Sequence, residues 1–158
     1  MPSPSQPELY RPRLTYPEMP YDVMLDRPVA LYPEHEAVAY RDASLTFREL
    51  EGLVNAFANA LRGLGIGRGD RVCLFMTNRP EYVVAFYAIA RIGAVSSPMN
   101  PSYKEREVAF QLGDAQAVAV VVQQDLLPIV CAVRNESPQL KHVIVVGPGA
   151  AAAADVVR

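Results

Sequence analysis

Between residues 44 and 147 apolar residues recur with two alternating rhythms. Phe47, Leu50, Val54, Phe57, Leu61 and Leu64 step by three and four, with Arg48, Glu51, Asn55, Asn59 and Arg62 between them, which predicts an amphipathic helix covering a sheet from outside. Thr46 and Glu49 supply a T-x-x-E capping box at its start. "GLGIGRGD" stops it, and the mostly apolar "RVCLFMT", residues 71 to 77, predicts a strand. A second helix opens at "NRPE": Asn78 and Glu81 repeat the capping spacing, Pro80 sits where its missing N–H costs nothing, and Gly93 supplies a left-handed stop. Its middle, Tyr82 to Ala90, has no polar stripe. A helix apolar on every side has to be buried on every side, and nine residues fall far short of the ~20 needed to span a bilayer, so it is expected between two layers.

The rhythm continues with a strand at "AVSSPMN" and a helix opened by Ser102 and Glu105 in an S-x-x-E box, ending near Leu112 and Gly113. A β-branched strand at 117 to 122, a helix from about Asp125 to Arg134 and the strand "HVIVV" at 142 to 146 complete it. Alternating strands and helices with short connections predict an α/β fold: three βαβ crossovers and a parallel sheet of four strands. Upstream, a short helix is expected from about Tyr21 to Tyr32, with Pro28 starting or breaking it, then a small hairpin turning at Asp42, Ala43 and Ser44. The expected organisation is a Pro-rich extended arm at 1–20, an α/β portion at 21–147 and a low-complexity tail at 148–158, read as a loop plus a frayed helix start.

Composition narrows the chemistry. The 158 residues are 51% hydrophobic and 20% charged with a net charge of −2, enough for one domain with a real core and without a basic footprint for nucleic acid. Cys73 and Cys131 lie far apart in apolar stretches, as buried free thiols do. With no apolar leader at the start, the expected compartment is the cytoplasm. His35 and His142 build no metal spacing with them and no catalytic triad. "GIGRGD" has its helix before and its strand after, the reverse of a dinucleotide fingerprint, and so reads as a turn. In open parallel sheets ligands sit beyond the carboxyl ends of the strands, here Thr77-Asn78-Arg79, Met99-Asn100-Pro101-Ser102, Gln123-Gln124-Asp125 and Gly147-Pro148-Gly149. Asn78, Ser102 and Asp125 among these are better explained as helix caps, so no catalytic, cofactor-binding or metal-binding residue is assigned.

Residues 44 to 122 resemble the amino-terminal region of the adenylate-forming superfamily, which includes acyl-CoA synthetases, aryl-CoA ligases, luciferases and adenylation domains of peptide synthetases. The resemblance is carried by "LTFREL" (Leu45 to Leu50), "GDRV" (Gly69 to Val72), "NRPE" (Asn78 to Glu81), "GAV" (Gly93 to Val95) and "NPSY" (Asn100 to Tyr103), and continues in "LKHVIVV" (Leu140 to Val146). It implies layered sheets with helices between them, which would bury the helix after Asn78. It also implies a parent enzyme that activates a carboxylate, most like a fatty acid, with ATP and Mg, and passes the acyl group to coenzyme A. The family's phosphate loop, adenosine-binding motifs and catalytic lysine match nothing before Arg158, so this chain alone is expected to be inactive. Expected partners are the remainder of a ligase chain, or a protein covering exposed apolar surface, and a second copy held through the amino-terminal arm. Two other readings stand beside this one: a truncated, non-enzymatic relative that binds a partner, and an unrelated doubly wound domain with a small ligand.

Overall fold

The computed structural model describes residues 19–41, 43–147 and 155–157. The expected arm at 1–20 therefore lies almost wholly outside the described residues. Helix α1 (Val23–Leu31) leads into a hairpin of β1 (Glu36–Tyr40) and β2 (Ala43–Thr46), and then α2 (Phe47–Gly63). Next come β3 (Arg71–Phe75), α3 (Pro80–Arg91), β4 (Val95–Pro98), α4 (Glu105–Asp114), β5 (Ala119–Gln123), α5 (Leu127–Val133) and β6 (His142–Val146). A last strand, β7, spans Asp155–Val157.

The sheet order is β4-β3-β5-β6-β7, and the first four strands are parallel as the alternation requires. The step from β3 to β4 runs one way and the later steps run back across β3. Right-handed crossovers then put α3 on one face and α4 and α5 on the other. Side chains obey that division strand by strand. Val72, Leu74, Met76, Ala119, Val121 and Ile144 join the core with α2 and α3. Cys73, Phe75, Val120, Val122, Val143 and Val145 join the core with α4 and α5. This is the period-2 pleat of strands buried on both faces, and it explains why they read as continuous apolar runs.

Helix α3 lies between β3 and β4 on one side and α2 on the other, with β1 alongside. None of its residues is exposed, yet only Ala85, Ala88 and Ile89 are buried. Tyr82, Val83, Phe86 and Tyr87 stay half-buried, so burial on every side is incomplete along one flank. Part of that flank is covered by Tyr21, whose ring meets Phe86 edge-on at 5.4 Å and stacks on Tyr87 at 5.7 Å. The helix α2, expected to cover the sheet, forms a second layer packed mainly on α3, the hairpin and α1. Arg91 ties these helices together, donating to Asn55 Oδ1 at 2.6 Å and Asp26 Oδ1 at 2.8 Å.

Several local expectations are corrected. Pro28 sits inside α1; the carbonyl its missing N–H would have reached belongs to solvent-exposed Met24. Of the expected turn residues, Asp42 lies outside the described residues and Ala43 and Ser44 are already in β2, while Arg41, at φ 55°, follows β1. Helix α4 runs past Gly113 to Asp114, and the left-handed stop falls on Gln116, at φ 48°. There the Ala117 N–H reaches the Leu112 carbonyl and the Gln116 N–H the Gly113 carbonyl, a Schellman ending. Gln116 is held by Arg71 of β3, which donates to the Ala115 carbonyl at 2.8 Å and to Gln116 Oε1 at 2.9 Å. Cys131 is exposed, whereas Cys73 is buried as expected. The tail contains β7, antiparallel to β6 with Val145 opposite Asp155 and Val143 opposite Val157, where a frayed helix start was expected. An otherwise open edge of β6 offers unpaired backbone groups to such a segment. Residues 148–154 and 158 lie outside the described residues.

Candidate functional site at the carboxyl ends of the strands

The chain leaves β3 toward β4 on one side and returns to β5 on the other, which makes the carboxyl ends of β3 and β5 the topological switch point of this sheet. The first three predicted strand-end segments and Gly147 lie along that edge. Thr77 donates its hydroxyl to Gln123 Oε1 at 2.8 Å and its N–H to the same atom at 3.2 Å. Gln123 in turn donates to Asp125 Oδ2 at 3.2 Å. Arg79 forks onto Glu81, with Nε to Oε2 at 2.9 Å and Nη2 to Oε1 at 2.8 Å. The paired charges hold each other ionised: the Glu81 hydrogen bond raises the Arg79 pKa, and Arg79 lowers that of Glu81, against the desolvation each suffers. Pro148 and Gly149 lie outside the described residues.

None of the three proposed caps is a cap. The residue before α3 is Arg79, with no side-chain hydrogen bond to the helix, and Asn78 is exposed beside it. Ser102 stands two residues ahead of the α4 boundary, and its N–H bonds to Asn100 Oδ1 at 2.9 Å in an Asx-type turn. The helix instead begins after Lys104, whose N–H donates to Glu107 Oε2 at 3.1 Å. Asp125 sits in a 3₁₀ turn at 124–126 ahead of α5 and accepts from Gln123. Thr46 is the cap that holds: Glu49 N–H donates to its Oγ1 at 3.2 Å and Thr46 N–H to Glu49 Oε2 at 2.8 Å. Gln123, expected only as part of a strand-end segment, is the residue that links Thr77 to Asp125. The sequence places it, as the first of two amides closing the apolar run "AVAVVVQQ", but does not give its partners.

Chemically, this edge is closed on itself. Thr77 gives its proton to an amide, and Arg79 is committed to the Glu81 carboxylate. The glycine turn at 65–69 is no phosphate cradle either: Gly67 N–H bonds to Asp70 Oδ2 and Gly69 N–H to the Gly93 carbonyl, both at 2.9 Å. The side chains of Thr77, Gln123, Asp125, Arg79 and Glu81, and the two glycine N–H groups, are thus engaged within the chain. The buried Ser137 hydroxyl has no partner among the described residues, but it lies beyond the opposite, amino-terminal end of β6. No helix among the described residues is long and apolar enough to cross a membrane.

The family model described as "AMP-binding enzyme" matches residues 25–157, from α1 through β7. The chain belongs to the AMP-binding enzyme family. It is 34% identical over 134 residues to the 3-hydroxybenzoate–CoA/4-hydroxybenzoate–CoA ligase of Thauera aromatica, covering 84% of this chain and 26% of that protein. With a long-chain-fatty-acid–CoA ligase of Salmonella typhimurium it shares 36% over 146 residues, covering 85% of this chain and 26% of the relative. Among solved structures it superposes on the inhibitor-bound N-terminal domain of FACL13 from Mycobacterium tuberculosis with a TM-score of 0.74 and 30% identity, over 79% of this chain and 33% of that one. The chain spans about a quarter of the length of these two curated relatives. Membership rules out the reading of an unrelated doubly wound domain, and the fold is that of the amino-terminal domains of adenylate-forming enzymes.

Proposed function

We propose that this chain is the amino-terminal scaffold of an ATP-dependent acyl-CoA synthetase acting in the cytoplasm on a fatty acid, and that it supplies no group to the chemistry. The observation that carries the reading is the coincidence of family and geometry. The family match runs unbroken over residues 25–157, while the polar groups at the strand ends bond to one another. Binding of ATP, Mg and coenzyme A then belongs to the remainder of the ligase. The role of these residues is to form a rigid layered wall against which that remainder is assembled.

Carboxylate-dependent exchange of pyrophosphate into ATP tests this in two arms. The chain alone is expected to give no exchange with palmitate or with 4-hydroxybenzoate; exchange by the chain alone overturns the scaffold reading. Residues 25–157 grafted in place of the matching segment of the Salmonella typhimurium long-chain ligase are expected to keep exchange with palmitate. A folded, nucleotide-binding chimaera without exchange would show that this segment has diverged from ligase duty.

A further inference from the structure

Helix α4 carries the most exposed large apolar side chain among the described residues, Phe110, at 71%. Beside it lies a groove of about 570 Å³, lined among others by Ser97, Tyr103, Arg106, Gln111, Asp114 and Ala115. Val95 is also half-exposed and shares the face of β4 on which Ser97 meets Gln111 at 3.0 Å, so the apolar area continues onto the edge strand. Strand addition does not explain this surface. Along the outer edge of β4, Pro98 has no N–H and its carbonyl already accepts from Gln111 at 2.9 Å.

Of the charged side chains lining this groove, Glu107 accepts from the Lys104 N–H at 3.1 Å, and the other two say what fits. Arg106 lies four residues before it and Asp114 four residues after it, on one stripe of the helix. Neither side chain makes a hydrogen bond or ion pair within the described residues. Each also stands at the unfavourable end of its own helix, a cation in the first turn and an anion in the last. A second α4 laid antiparallel across Phe110 puts Arg106 of each copy opposite Asp114 of the other and brings the two phenyl rings together over the groove. Gly113 is consistent with that approach. A methyl there would meet nothing within 4 Å in its own chain, so no contact inside the chain explains a glycine that weakens the helix relative to alanine. We propose that α4 is a self-association surface, and that the partner it fits is a second copy of this chain related by a two-fold axis through Phe110. Complementarity of a surface to itself is the mark of an isologous contact.

A helix of ten residues is only about 15 Å long, so the interface falls at the weak end, below the ~1,600 Å² of a standard complex. Sedimentation velocity of the full chain, from low to high micromolar concentration, is expected to show a reversible monomer–dimer equilibrium. Arg106→Asp and Asp114→Arg each place like charges opposite each other twice, and each is expected to weaken the dimer by about tenfold or more. The double reversal restores opposite pairing and is expected to recover most of the affinity. Phe110→Asp is expected to abolish the dimer while unfolding unchanged, since all three side chains are exposed in the monomer. A chain monomeric at every concentration overturns the proposal. So does a dimer indifferent to the single reversals, a double reversal that fails to restore, or a dimer lost on deleting residues 1–18 instead.

Discussion

The two faces of the sheet are built to different depths. On one face, α3 lies directly on β3 and β4, and α2 lies over α3, so the inner helix meets protein above and below. On the other, α4 and α5 form a single layer whose outer side meets solvent. The sequences of the helices follow from that difference. A helix two layers down has no use for a polar face, and Tyr82 to Ala90 has none. Helix α4, one layer down, has Glu105, Arg106, Glu107 and Asp114, with Phe110 standing out among them, whereas the short α5 in the same layer is LPIVCAV and exposes only small apolar residues. Composition thus follows depth for the two longer helices, α3 and α4, and not for α5.

Adjacent residues of β3 point to opposite faces and so test whether depth also governs how a defect relaxes. Leu74 and Phe75 are both fully buried. Truncation to alanine is expected to cost about 2–5 kcal/mol for Leu74 and about 3–5 kcal/mol for Phe75. Per carbon removed these ordinary ranges already make Leu74→Ala the dearer, at about 0.7–1.7 against about 0.5–0.8 kcal/mol, and layering should widen the gap, because α3 is held by α2 and cannot settle into the space, whereas α4 has only solvent behind it. Urea unfolding of the two variants decides this. Equal cost per carbon would break the link between layering and rigidity.

Cys73, the next inward position on the α4 face, gives a smaller effect that depends on pH. Burial pushes its thiol from the ordinary 9.0 up to about 11, a shift opposed by the hydrogen bond with Ser97. Between those values the unfolded chain loses the proton and the native chain keeps it. Stability is therefore unaffected by this group below pH 9 and falls by about 1.4 kcal/mol per pH unit from 9 towards 11. Urea midpoints of the parent and Cys73→Val across that range should diverge with this slope. Parallel curves would mean that the thiol ionises without unfolding, and that the single-layer face admits water.

Much of this was legible in the sequence because it is local or periodic. The seven helices and strands from 71 to 146 follow from apolar period and β-branching, and the depth of α3 from its missing polar stripe. The segments of the strand-end site were legible too, since an apolar run ending in polar residues marks where a strand stops. What escaped depends on partners distant in the chain. Gln116, and not Gly113, adopts the left-handed stop, because Arg71, 45 positions earlier, bonds to it. Thr77 and Gln123 are joined only because β3 and β5 are neighbours. Strand β7 needed the open edge of β6, which no local pattern at "DVV" announces.

Helix starts show the same limit within a few residues, and they carry the smallest prediction. Thr46, Asn78 and Ser102 each precede a glutamate by three, and the three spacings are indistinguishable on paper. Only Thr46 closes a reciprocal box, since its backbone is extended, at φ −72° and ψ 165°, immediately before α2. At α3 the polar residue is one position too early: Pro80 takes the first helical place and Arg79 the cap. At α4 it is two positions too early, because the Asx turn on Asn100 draws the Ser102 N–H away from the helix. Thr46→Ala is therefore expected to cost about 1 kcal/mol, and Asn78→Ala and Ser102→Ala only a few tenths, in the same urea experiment. A loss at Asn78 equal to that at Thr46 would show that the first turn of α3 draws on a side chain the geometry leaves in solvent. The deeper helix would then need a cap as much as the outer one, and its security would not come from the layers packed around it.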